Sequence, residues 1–158
     1  MELKDLMTAF GKAFGVSDLK PSKDGIYTVT IDEMSISFAA DPDMPRLVTW
    51  GEVGVIPPEG RERLFHVLLE SMFMGKATGG ATFSIEAGTD TLFFHRMDSL
   101  DGLDFKAFAM TLETFVNILE KWRGILSGFG SAAADLIKDE QQVAQDMRQA
   151  SFGTFMQV

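Results

Sequence analysis

The chain contains no cysteine. That absence excludes disulfide stapling, thiolate metal sites and a thiol nucleophile, and it fits a cytosolic protein. Positive charge is also scarce. Fourteen Lys and Arg stand against 23 Asp and Glu, a net charge of −9, so a phosphate backbone would be repelled and nucleic acid is not an expected partner. No apolar run approaches the roughly 18 residues of a membrane span. The opening MELKDLMTAFGKAFG carries charge within its first five residues and has no long apolar centre, so it does not read as a secretory signal. Internal repeats and low-complexity segments are missing too.

What remains is apolar bulk. Hydrophobic residues make up 46% of the 158, enough for one domain with one core. The 14 Phe and 10 Met are many for this length, and such residues either fill a core or line an adaptable binding surface.

The motifs that would carry chemistry fail on context. FMGKATGGATFSIEAG, residues 73–88, has glycines and a lysine, but Ala77 follows Gly75-Lys76 and the order is helix then strand. A phosphate loop needs G-x-x-x-x-G-K-[ST] leading into a helix N-terminus, so the stretch reads as a joint. Gly128-x-Gly130-x-x-Ala133 imitates a dinucleotide fingerprint with no strand before it, and reads as a hinge. Asp98, Asp101 and Asp104 lie three apart, which does not match the alternate ligands of a calcium loop. His66 and His95 are the histidines, and neither sits in a recognisable catalytic motif. No metal or cofactor is expected.

Periodicity supplies the architecture. Leu3, Leu6, Met7, Phe10 and Phe14 recur at helical spacing over residues 2–14, with Gly15 as a stop. IYTVTID and MSISFAAD alternate as half-buried strands around an Asp32-Glu33 hairpin tip that lacks the glycine of the strongest turns. RLVTWGEVGVI follows as a third strand, bulged at Gly51 or Gly54. A helix begins near Pro58, and ATFSIEAG and TLFFHRMD form two more strands. DFKAFAMTLETFVNILEKWRGIL reads as a long helix with Asp104 as its N-cap, and a last helix covers roughly 131–150. The expectation is an α+β domain over 1–127 with an antiparallel sheet of about five strands and three helices in α-β-β-β-α-β-β-α order. A C-terminal helical extension over 128–158 would follow it.

The middle helix carries two apolar stripes: Leu64, Val67, Leu68 and Met72 form one, and Phe65, Leu69 and Phe73 form the other. A surface helix needs only one. One side can meet the sheet, and the other meets either a second copy of the chain or another helix of its own. Tyr27, Val29 and Ile31 alternate on one strand face, with Ile36, Phe38, Val48 and Trp50 as continuations.

This pattern resembles the class I chaperones of type III secretion, the Tir-chaperone-like family. The likeness covers about residues 1–127 and is strongest over 64–123, in "LLESMF", "TGGATFSIE" and "LDGLDFKAFAMTLETFVNILEKW". It implies a non-enzymatic homodimer in the bacterial cytoplasm. Such a dimer would hold the N-terminal segment of a secreted effector in extended form, wrapped around it and export-competent. The residues expected to touch that client are Phe10, Phe14, Val29, Ile31, Ile36, Phe38 and Trp50. Leu64, Val67, Leu68 and Met72 are expected at the dimer interface. Two other readings are a small-molecule-binding α+β domain with a closed pocket and, below it, a small hydrolase-like enzyme built on acids with His66 or His95.

Overall fold

The computed structural model describes residues 2–16 and 18–129. The helix expected over 131–150 and the Gly130 and Ala133 of the fingerprint imitation lie outside the described residues. Helix α1 (Leu3–Phe14) leads to strands β1 (Tyr27–Ile31), β2 (Met34–Ala40) and β3 (Arg46–Val55). Helix α2 (Arg61–Ser71) and a short 3₁₀ turn (Phe73–Gly75) follow, then β4 (Thr82–Ile85), β5 (Thr91–Ser99) and α3 (Phe105–Gly128). The element order and the five-stranded antiparallel sheet are those expected from the sequence. Strand order in space is β1-β2-β3-β5-β4, so β1 and β4 are the edges.

Each element forms for a local reason. Leu3, Leu6, Met7 and Phe10 give α1 a single buried stripe, and Gly15 ends it in the left-handed conformation, φ 67°. The Asp104 side chain accepts a hydrogen bond from the Ala107 amide at 2.8 Å, so α3 starts where a cap was expected. The start of α2 differs: it begins at Arg61 after a left-handed Gly60, φ 70°, and not at Pro58. The hairpin tip differs too. Asp32 and Glu33 take φ 46° and 65°, the positive pair of a type I′ turn, without any glycine. Aspartate is among the residues that enter this region most readily, and Glu33 follows it there.

One face of the sheet carries the core. Tyr27, Val29, Met34, Ile36, Phe38, Leu47, Leu92 and Phe94 are buried on it. Helix α3 lies across that face. Phe115 stacks on Phe94 at 5.0 Å between ring centroids, and Trp122 meets Phe83 edge-on at 4.9 Å. At the other end of α3, Phe108 packs against Phe10, Phe38 and Phe105. The register shift in β3 falls between Glu52 and Gly54, whereas Gly51 stays in register opposite Ile36 and Phe94. Gly51 is there for space: a Cβ on it would lie 2.4 Å from Leu119 Cδ2 and 3.2 Å from Ile36 Cδ1. Leu119 and Ile36 are both fully buried. Gly51→Ala is therefore expected to cost about 1–3 kcal/mol through overpacking, seen as a lower midpoint in thermal denaturation.

The glycine-dotted stretch after α2 is a joint. Gly79 presents its backbone to α3, where a Cβ would sit 3.0 Å from Thr114 Cγ2. Arg96 donates from Nη1 to the Gly79 carbonyl at 2.8 Å while its other nitrogens grip Asp98.

Candidate functional site

Strand β1 is short, sits at an edge and ends in a tight turn. Ile31 and Met34 flank the two-residue turn and form its closing hydrogen-bonded pair. Bonding then alternates along the ladder, so the backbone groups of Thr28 and Thr30 point away from β2 toward the free edge. An open row of amides and carbonyls of this kind accepts a further strand.

Beside that edge, α1, β1 and α3 enclose a groove of about 960 Å³. Phe10, Phe14 and Val16 form one wall, Val29 and Ile31 contribute from the strand, and Phe105, Ala109, Met110 and Val116 form the other wall. Its lip is exposed and apolar, with Phe14 at 60% and Met110 at 62% exposure. The Phe10 and Phe14 rings meet at 4.7 Å, tilted by 34°. Four of the seven residues expected to touch a client, Phe10, Phe14, Val29 and Ile31, come together here. Ile36 and Phe38 share the same sheet face but are fully buried in the core. Trp50 stands opposite Ser37 and His95, on the other sheet face. The α3 wall, with Met110 at its lip, was not singled out from the sequence. Its signal was an apolar residue on the polar side of a long amphipathic helix.

The two stripes of α2 are also separated. Leu64, Val67 and Leu68 are buried in the chain's own core, and Met72 is half-buried, its sulfur accepting from the Phe83 amide at 3.2 Å. The second stripe faces out. Leu69 is 67% exposed, Phe73 59% and the adjoining Met74 75%, with Phe65 half-buried beside them.

Neither histidine lines the groove. His66 is exposed on α2, 3.7 Å from Glu70. His95 is half-buried on the outer sheet face, with Nε2 3.0 Å from Thr82 Oγ1 and Nδ1 3.2 Å from Ser84 Oγ. Among the described residues its ring has no carboxylate partner to hold a base in one tautomer. Burial lowers its pKa below the usual 6.5. A histidine whose folded pKa is depressed contributes stability that is full above the unfolded value. The contribution is lost as pH falls below about 6.5 and through the lower folded pKa. The midpoint of thermal unfolding is thus expected to fall on acidification from pH 7 to 5, and His95→Gln should flatten part of that slope. Among the described residues no group of three or more His, Asp or Glu is placed to hold a metal ion. No helix of the described residues is long and apolar enough to cross a membrane.

The sequence model of the Tir chaperone protein (CesT) family matches residues 5–123, three quarters of the chain. The chain belongs to that family. It is a class I type III secretion chaperone by family, and CesT-family chaperones are non-catalytic binding proteins. Solved structures agree on the fold. The ExsC–ExsE complex superposes with a TM-score of 0.67 at 19% identity, over 80% of this chain and 97% of that one. The HopA1–SchA chaperone–effector complex gives 0.64 at 14% identity, over 77% and 92%. The Yersinia pestis type III secretion chaperone SycH, in complex with a fragment of YscM2, gives 0.58 at 17% identity, over 75% and 97%. No curated protein matches the sequence.

Proposed function

We propose that this CesT-family chain is a homodimeric export chaperone. It takes the N-terminal segment of a secreted effector in extended form and keeps it unfolded for type III secretion. The observation that carries this reading is the pairing of an open strand edge with an apolar groove on one side of the molecule. A client strand alongside Thr28 and Thr30 would extend the ladder, and its alternate side chains would enter the groove between Phe14 and Met110. A segment leaving round the β1 edge would reach the outer sheet face, where Trp50 is half-buried and Met97 is 53% exposed. That route accommodates Trp50 as a second contact and a client that wraps. The groove is open at an exposed lip, as a peptide site must be and a closed small-molecule pocket is not.

The partner subunit seats on the outer stripe of α2, Phe65, Leu69 and Phe73, while Leu64, Val67, Leu68 and Met72 support that surface from beneath. The acidic surface keeps a loaded complex soluble.

The test is capture of the tagged full chain from its own host, followed by trimming of the bound partner with a nonspecific protease. A protected N-terminal piece of roughly 50–100 residues is the expected result for a wrapped disordered segment. A partner that survives trimming as an intact folded protein contradicts the reading. Phe14→Glu and Met110→Glu alter exposed side chains and leave the core intact. Each is expected to weaken client binding about ten- to a hundredfold, the effect of losing one buried apolar contact of about 1.5–3 kcal/mol.

A further inference from the structure

The groove is not uniformly apolar, and its charges are ordered along its length. On α3 the rim reads Lys106, Met110, Glu113, Asn117, one stripe at helical spacing. Seven residues separate Lys106 from Glu113, about 10 Å along the axis. The strand fixes where the remaining acid lies. Tyr27 faces Phe38 across the ladder, and the Phe38 ring is 5.7 Å from that of Phe108. Val29 faces Ile36, and Ile36 converges with Leu119 on Gly51. Walking β1 from Tyr27 to Ile31 therefore follows α3 from Phe108 toward Leu119. Asp32, just past Ile31, stands at the Glu113 end of the groove, away from Lys106. Both acids are exposed, and among the described residues neither Asp32, Glu113 nor Lys106 has a salt-bridge partner.

We infer that the groove selects a client segment whose apolar side chains are followed, at the end lying against the β1–β2 turn, by a lysine or arginine held between Asp32 and Glu113. This rests on the reading of the groove as the client site and adds the chemistry of the client to it. An apolar segment alone satisfies Phe14 and Met110 but leaves both acids of the groove rim without a partner. A client cation placed there pairs with them. Lys106 rejects the same cation at the opposite end, so the charge order also fixes the register of the segment.

The test uses the full chain against a displayed library of random dodecapeptides, with the Asp32→Lys/Glu113→Lys double variant in parallel. The wild type is expected to enrich apolar pairs with an adjacent Lys or Arg. The double variant should keep the apolar pairs and exchange the basic residue for Asp or Glu. In fluorescence anisotropy with one selected peptide, Glu113→Gln alone should weaken binding about two- to fivefold at low salt, and less at high salt, as a rim ion pair does. Apolar enrichment without a basic residue, or a basic preference that survives charge reversal, overturns this inference and leaves the groove as client site. Absence of any enriched peptide, or enriched peptides that bind Phe14→Glu as tightly as wild type, overturns the groove reading itself and this inference with it.

Discussion

Leu69→Asp is expected to convert the proposed dimer into folded monomers, whereas Leu68→Asp, one residue away, is expected to unfold the subunit. The two side chains leave α2 about 100° apart, and only one of them faces solvent. Leu69 is 67% exposed in the single chain and Leu68 only 4%. A carboxylate at position 69 is harmless in a monomer. In a twofold interface it appears twice, each time replacing an apolar contact of about 1.5–3 kcal/mol and each time unpaired. Together that corresponds to a loss of at least two orders of magnitude in dimer affinity. At position 68 the same change removes a packed leucine, about 2–5 kcal/mol, and adds a buried charge to a domain whose whole stability is about 5–15 kcal/mol. Light scattering at micromolar concentration with circular dichroism separates the two outcomes. A Leu69→Asp protein that stays dimeric places the interface elsewhere.

The second large effect is expected at Phe108. Its ring is buried beneath the groove and contacts Phe10 at 6.3 Å, Phe38 at 5.7 Å and Phe105 at 6.3 Å. It joins α1, β2 and the start of α3. Phe108→Ala leaves a cavity where three elements meet and is expected to cost about 3–5 kcal/mol. Phe108→Leu should cost far less, since most of the volume is kept. The groove walls hang on this cluster, so the alanine variant should also lose client binding at temperatures where it remains folded. Denaturant titration gives the stability, and client capture below the transition gives the second readout. A Phe108→Ala protein with unchanged stability would mean that the cluster does not hold α1 against α3.

Much of the architecture was legible because it rests on periodicity. Leu3, Leu6, Met7 and Phe10 at helical spacing, and Val29, Ile36 and Phe38 in alternation, name both their element and its buried face. The Asp104 cap was equally local. The site was harder to read, for a physical reason. Alternation shows which strand residues share a face, but not which of them a helix then covers. Ile36 and Phe38 lie on the same face as Val29, yet α3 buries them completely, while Ile31 at the edge stays within reach of a ligand. The α2 stripes pose the same problem. Both are apolar, and only the packing shows that Leu64, Val67 and Leu68 turn inward and Leu69 and Phe73 outward. Strand continuity places Trp50 among the client contacts, but one residue of register turns it to the opposite face. Asp32 and Glu33 formed a tight turn without the glycine that usually announces it.

The most direct measurement of the central claim is amide hydrogen exchange of the full chain, free and loaded with its captured client. Client pairing on the β1 edge predicts slowed exchange at the Thr28 and Thr30 amides, with added protection on the groove walls of α1 and the first half of α3. Protection confined to the outer sheet face around Trp50, with Thr28 and Thr30 exchanging as in the free chain, would contradict it.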